Sequence, residues 1–495
     1  MNGFIERHGL WSDDDRRLAK EAVARVNAKG IRLIRLVWVD SHGHTRAKQV
    51  SAATFAEALV NGYNINVATF TLDASGNRVF SSFVRGGGMG LDEMTGSPNL
   101  VIVPDPATFR LLPWAPGTAW MLCDEYFTDG RPFFFSSRRL LRDQAARLAG
   151  KGMFFRVGLE IEWYLYRLVD PDLTAPEIAT PGMKGAAPAC LPVDPGASYH
   201  SESNIDRVQP LLHRLAATWE ALGLKLRSIE NEFGAGQVEC TFGAEAALKA
   251  ADDFVLFRTA TRQICRRAGH LASFMCWPGI DGAFPSGWHL HQSLAALDGG
   301  ANLMMPETDA GEDLSPAGLA WLAGLMEHAV EGAVFATPTI NGYRRFRANS
   351  LAPDRVCRGH DHRGVMLRTL GGFGDPGSRI ENRLGEPAAN PYLFFAAQIA
   401  AGLDGLERGL APPPADTNPY EADRPMLPTS LTSSLDALDG SAFYRRTFGD
   451  RYADYYLGLK RSEAGRFETQ SGELGPTGHP AGITRWEMNE YLDFF

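Results

Sequence analysis

The 495-residue sequence contains no Gly-x-x-x-x-Gly-Lys-Ser/Thr loop and no Gly-x-Gly-x-x-Gly run after a strand pattern, so any nucleotide must be held another way. It contains no Cys-x-x-Cys pair. Its six cysteines (Cys123, Cys190, Cys240, Cys265, Cys276 and Cys357) are scattered and read as buried thiols of a cytoplasmic protein. It has no excess of positive charge: a net charge of −9 argues against nucleic acid as the main partner. It has no long apolar run either. The most apolar helical stretch, Ala317 to Ile340, carries Glu327, His328 and Glu331, so no membrane span is expected. The N-terminus, Met-Asn-Gly-Phe-Ile-Glu-Arg-His, lacks the apolar core of a secretory signal. The rest of the composition, 44% hydrophobic and 22% charged, is that of an ordinary soluble protein long enough for two or more domains.

Against that background one stretch stands out: Gly158 to Arg167. Leu159, Ile161, Trp163 and Leu165 alternate with Glu160, Glu162 and Tyr164, so both glutamates point to one face of a strand. Two acids on one face are more often merely solvated, but the pattern recurs. His289 and His291 sit two apart, Arg379, Glu381 and Arg383 alternate, and Glu232 and Glu239 bracket a loop that can return both acids to one place. Carboxylates converging on one cavity repel by about 4 kcal/mol per pair at 4 Å and an effective dielectric near 20. A divalent cation removes that cost, and oxygen-rich sites with an imidazole suit Mg²⁺ or Mn²⁺ better than Zn²⁺. Arg345, Arg363, Arg368 and Arg383 then suggest an anionic reactant. Metals and arginines around phosphate are the pattern of phosphoryl transfer. The bland alternatives are a histidine satisfied within the core and arginines on a solvated loop.

In chain order, Ser12 followed by three aspartates predicts a helix to Ala28 with Gly30 past its end. Ile31 to Val39 predicts a strand, Asp40 to His44 a hairpin turn, and Gly86 to Gly88 a mobile loop. Pro104, Pro106, Pro113 and Pro116 place a domain boundary near residue 115, giving domains at 1–115 and 116–495. Beyond it, strands alternate with helices. Asp170 to Ser201 reads as a surface excursion, Arg344 to Gly359 as a basic loop, and Asn390-Pro391 as the start of a helix.

The stretches Gly-Leu-Glu-Ile-Glu-Trp, Glu-Phe-Gly-Ala-Gly-Gln-Val-Glu, Gly-Trp-His-Leu-His-Gln-Ser, Asn-Gly-Tyr-Arg-Arg-Phe and Arg-Ile-Glu-Asn-Arg-Leu-Gly-Glu-Pro resemble, in order, the motifs of the glutamine synthetase superfamily. The resemblance implies an α+β fold: a small N-terminal β-grasp domain, then a large α/β catalytic domain. It also implies a homo-oligomer, a dodecamer of stacked hexameric rings with active sites between neighbours. By the same resemblance Glu162, Glu232 and Glu239 hold one divalent ion, and Glu160, His289 and Glu381 a second. Mg²⁺ or Mn²⁺ would fill at least two sites per active site. His291, Ser293 and Arg368 lie near the nucleotide, ATP being co-substrate. Arg345 holds the acid substrate's carboxylate, while Arg363 and Arg383 stabilise the phosphate in transfer.

The departures bear on the substrate. Where ammonia-using members have Asp-Gly-Ser-Ser, this chain has Asn66-Val-Ala-Thr69. The acid usual before the Pro-Asp strand end is Asn99, the flap glutamate falls on Leu351, and an Asn-Gly pair becomes Phe284-Pro285. An ammonium site needs fixed negative charge, and three acids are missing. The pattern resembles γ-glutamylamide synthetases, with glutamate as the acid, a small organic amine as the acceptor and an arylamine such as aniline ranked first. Asn66, Thr69 and Leu351 are then substrate-binding residues. Ammonia-dependent glutamine synthesis and a non-catalytic assembly protein are the alternatives.

Overall fold

The computed structural model describes residues 3–309 and 311–495. A first sheet is built from β1 (Leu33–Val39), β2 (Thr45–Ser51), β3 (Tyr63–Asn66), β4 (Asn99–Pro104), the short β5 (Arg110–Leu111) and β6 (Thr118–Tyr126). Their order is β2-β1-β6-β4-β3, with β5 beside β6. β1 and β2 form the expected hairpin, and β1 runs parallel to β6, the β-grasp arrangement. The boundary expected near residue 115 falls one strand early, because β6 is a central strand of this sheet. Pro113 and Pro116 flank the turn that leads from β5 back into the sheet, closed by the Thr118 N–H donating to the Ala115 carbonyl at 3.1 Å. Ser12 caps the helix Asp13–Ala28 through a capping box with Asp15, as its sequence predicts. The glycine run 86–88 is not a loose loop. Gly86 and Gly87 are buried with φ of +75° and +60°, and a Cβ on Gly88 would meet the Ser81 backbone at 2.5 Å.

The second sheet comprises β7 (Met153–Leu168), β8 (Cys190–Pro192), β9 (Leu226–Asn231), β10 (Gln237–Phe242), β11 (Glu245–Ala246), β12 (His270–Ser273), β13 (Trp288–Ala296), β14 (Arg358–His360), β15 (Leu367–Leu370) and β16 (Arg379–Gly385). The main path is β14-β15-β16-β13-β7-β10-β9, and β8, β11 and β12 also pair with β7. All pairs are antiparallel except β14 with β15. β7 is the axis of this sheet. Its Leu159, Ile161, Trp163 and Leu165 enter a core shared with Phe254, Phe257 and Trp288. The face carrying Glu160 and Glu162 is left for the site.

β1 ties the two halves together by alternation. Val37 and Val39 join the core of the second sheet, whereas Ile34, Leu36 and Trp38 join a core with Phe335, Leu393 and Tyr455. The segment 170–201 is an excursion with one strand, β8, laid on β7. The arginines of 344–358 are not a solvated basic face. Arg344 meets Glu487, Arg355 meets Asp354, and Arg347 and Arg358 donate to the Ala481 and Pro413 carbonyls. None of the six cysteines is paired, and all but the half-buried Cys190 are buried. Among the described residues no single helix is long and apolar enough to cross a membrane. The apolar pair Pro316–Glu327 and Ala329–Ala336 is bent by 82°.

Candidate active site

Register across the second sheet assembles the site in three rows. His289, Glu160, Thr241 and Ser228 face one another on β13, β7, β10 and β9. Glu162, Glu239 and Glu230 form the next row. Arg368, Glu381, His291 and Gly158 form the third, across β15, β16, β13 and β7. Side-chain alternation then puts every one of these groups on a single face. Gly287 is required for clearance, since a Cβ there would lie 2.7 Å from His289 Nε2 and 3.4 Å from Glu162 Oε1.

Ligand atoms of Glu160, His289 and Glu381 lie within 4.8 Å of one another, the set expected for one ion. Those of Glu162, Glu239 and His289 do the same. This second cluster brings in His289, and Glu232, expected beside Glu162 and Glu239, is not among its three residues. Glu232 follows the end of β9, in the hairpin, where its N–H donates to the Gln237 carbonyl at 3.0 Å. It remains close enough to act electrostatically on both acids. Burial, then repulsion from neighbouring carboxylates, pushes Glu162 up to about 8 and Glu239 to about 10, and burial with Glu230 and Glu160 raises Glu232 to about 7. Against their burial, Glu160 is held far below the carboxylate range by hydrogen bonds from His289 and His291, and Glu381 is held at about 2, chiefly by Arg383. His289 Nδ1 bonds Glu160 at 2.6 Å. His291 Nε2 bonds it at 2.9 Å, while Arg379 Nε donates to the other imidazole nitrogen at 3.1 Å. Gln237 donates to Glu162 at 2.9 Å and fixes its rotamer. A row of carboxylates that repel one another beside one imidazole is an oxygen-rich donor set, which fits Mg²⁺ or Mn²⁺.

Beside this row opens a cavity of about 690 Å³, lined by His291, Ser293, Arg363 and Arg368 and also by Arg156, Arg379 and Glu230. That is the size of a cofactor or nucleotide site. Arg368 spans its wall, donating to Glu381 at 2.9 Å and to Asp361. Arg383 does not line the cavity. It is buried, bonded to Glu381 and, at 3.3 Å, to the Leu351 carbonyl, and its Nε has no partner. Arg345 is buried near Glu162, and its guanidinium donates to the Gly385 carbonyl at 2.5 Å and to that of Arg383. Among the described residues no carboxylate pairs with it. Leu351 is half exposed with φ of +60°, an uncommon conformation for leucine.

Asn66 and Thr69 lie in the first sheet region and line none of this. Asn66 caps a 3₁₀ turn by accepting from the Ala68 N–H at 2.7 Å, and Thr69 accepts from the Trp38 indole at 3.1 Å. Asn66 and Asn99 are register partners on β3 and β4, so the two missing acids belong to one spot.

Tyr199 and Phe233 escape sequence reasoning, although Phe233 directly follows Glu232. Tyr199 stacks on Phe233 with centroids 4.5 Å apart and planes 6° from parallel, and Phe233 meets Phe284 at 5.6 Å. The three rings are 50%, 40% and 38% exposed, so each presents an open edge or face. Next to Tyr199 in the chain, His200 places its Nε2 3.1 Å from Glu230, which sets the stack beside the acid row, and burial and then Glu232, Glu239 and Glu230 shift the Tyr199 hydroxyl up.

Residues 135–475 match the glutamine synthetase catalytic domain. A γ-glutamylanilide synthase from an Acinetobacter species is 41% identical, covering 99% of this chain and 98% of its own length. The γ-glutamylethanolamide synthetase of Streptomyces coelicolor is 31% identical, covering 96% of this chain and 95% of its own. A solved complex of GmaS with ADP superposes with a TM-score of 0.73 at 28% identity, covering 91% of this chain and 96% of that one. The chain therefore belongs to the glutamine synthetase family and is an ATP-dependent carbon–nitrogen ligase.

Proposed function

We propose that this ligase joins the γ-carboxylate of glutamate to an organic amine and that an arylamine is its preferred acceptor. The terminal phosphoryl group of ATP passes to the γ-carboxylate, leaving ADP and an acyl phosphate. The amine nitrogen then attacks the acyl carbon, the C–O bond to phosphate breaks, and the nitrogen sheds a proton. Divalent ions held by Glu160, Glu162, Glu239, His289 and Glu381, with Glu232 beside them, would neutralise charge on the transferring phosphate. Arg363 and Arg368 face the same cavity and counter the charge of the nucleotide. The buried Arg345, with only carbonyls for partners, suits the glutamate carboxylate, and Arg383 with its free Nε suits the acyl phosphate.

The observation that carries the acceptor assignment is the exposed Tyr199–Phe233–Phe284 stack, set beside the acid row by the His200–Glu230 contact. An aromatic ring adds offset stacking worth about 0.5–1.5 kcal/mol per pair to the area it buries, which a small alkylamine cannot match. Ammonium loses its fixed charges at Asn66, Asn99 and Leu351. Asn66 and Thr69 sit outside this chain's cavity. We assign them to a neighbour's site in a ring-shaped homo-oligomer, so a monomer isolated by dilution should be inactive.

ADP release with ammonia, ethylamine, isopropylamine, putrescine and aniline at matched concentrations tests the assignment. Aniline should give the highest kcat/KM. Phe233→Ala should raise KM for aniline about tenfold while sparing ethylamine, and Leu351→Glu should shift preference towards ammonia. Ammonia outrunning every amine would overturn it.

A further inference from the structure

On the far side of the second sheet, away from the acid row, the helix Ala247–Arg267 carries Arg258, Arg262 and Arg266 four residues apart on one face. With Arg267, His44 and Thr45 of the β1–β2 turn, and Asp493 near the C-terminus, they line a separate cavity of about 370 Å³. Four guanidiniums face one carboxylate. Arg266 takes that carboxylate at 2.6 Å and Arg262 lies 3.6 Å from it, while Arg267 bonds only the Gln263 carbonyl.

Arg258 is the telling residue. Six arginines are buried among the described residues. Arg138, Arg368, Arg383 and Arg466 each pair with carboxylates. Arg345 and Arg258 have only carbonyls, Arg258 donating to Pro387 at 3.3 Å and to Gly43. The Phe254 and Phe495 rings pack against the Arg258 guanidinium at 5.0 and 5.9 Å without supplying full negative charge, and Asp40, the carboxylate whose field reaches it, is bonded to Arg46 at 2.8 Å. Burying a cation without a counter-charge is costly, and chains keep such groups where an anion completes them. The field is felt by neighbours too. Burial, then Arg262, Arg46, Arg258 and Lys184 hold the His44 imidazole well below its usual range.

We propose that this cleft is a second anion-binding site, taking a small metabolite that carries phosphate or carboxylate groups and distinct from the nucleotide cavity. The helix it loads packs Phe254 on Trp288 at 4.1 Å, next to His289 in the chain, so an occupant is positioned to influence the metal row.

Citrate and inorganic phosphate, titrated separately into the full-length protein with Mg²⁺ present, distinguish the two anion chemistries by calorimetry and thermal shift. At least one should bind with millimolar or tighter affinity. The double variant R262Q/R266Q should weaken that binding tenfold or more, while Arg363→Ala leaves it within twofold. Arg266→Gln alone, at a partly exposed position, serves if the double variant does not fold, and should weaken it threefold or more. No binding by either anion, binding untouched by the cleft variants, or binding lost equally with Arg363→Ala would overturn the proposal.

Discussion

At the join between the two sheets, Arg138 lies among Asp105, Asp124 and Asp252 at 2.6, 2.7 and 2.7 Å, with Arg142 adding a bond to Asp124 at 2.6 Å. On the open face of the second sheet, Glu162 and Glu239 face one another with Glu232 close by, and no arginine or lysine is bonded to any of the three among the described residues. Both clusters are buried, and both bring carboxylates from several elements to one place. In the first, the chain supplies its own countercharge, and the Tyr392 hydroxyl takes one of the remaining lone pairs on Asp252 at 2.7 Å. In the second, the countercharge is missing and the carboxyls are pushed towards neutrality. A charge cluster that closes on itself holds the fold. One that stays open marks where something else must bind.

The sharpest way to break this contrast is Arg138→Ala. It takes a guanidinium from three carboxylates, leaving Asp252 with none while Arg142 still reaches Asp124 and Asp105, and should cost about 3–5 kcal/mol of stability, read as a large drop in the denaturant midpoint. A midpoint within experimental error of wild type would show that Arg138 is not what neutralises that cluster.

Glu162→Gln keeps the shape and removes charge from the open cluster. Turnover should fall about 10²–10³-fold, the scale of losing one electrostatic contact to a transition state, with stability unchanged or raised. Near wild-type turnover at saturating Mg²⁺ would misplace the site.

Mg²⁺ or Mn²⁺ at about a hundred times its dissociation constant should stabilise wild type by about 2.7 kcal/mol, and Glu239→Gln by much less. Thermal melts with and without chelator measure this. Equal stabilisation of both proteins would count against Glu239 as a ligand.

The smallest effect expected is at Glu125, beside the closed cluster. Its carboxyl is raised to about 8 by burial, and its Oε2 has no partner. A raised carboxyl pKa means that the folded state holds a proton the unfolded state has released. Stability on this account is greatest below about pH 4.5 and is lost as pH rises towards 8. Glu125→Gln should therefore gain stability at pH 8 and flatten the slope between pH 5 and 8. A slope identical to wild type would assign it to other groups.

Much of the site was legible because strand alternation is a local property. Glu160 with Glu162, His289 with His291, and Glu381 with Arg383 are each two apart, and period two alone puts each pair on one face. The ordered motifs then identified the family. Helix starts at Ser12 and Asn390 were equally local, being capping chemistry. What the sequence could not determine depended on register and on the path of turns. Only pairing across β9, β10 and β7 sets Glu230 beside Glu239, and only the path of the hairpin decides where Glu232 stands relative to them. Only the turn at Pro113–Pro116 decides that β6 returns to the first sheet instead of leaving it. The Tyr199–Phe233–Phe284 stack joins residues 34 and 51 positions apart along the chain, and the arginine cleft joins a helix to a hairpin turn and the C-terminus. Such contacts are fixed by how whole elements pack, since burying one element's apolar face dictates which polar groups its other face presents to a neighbour.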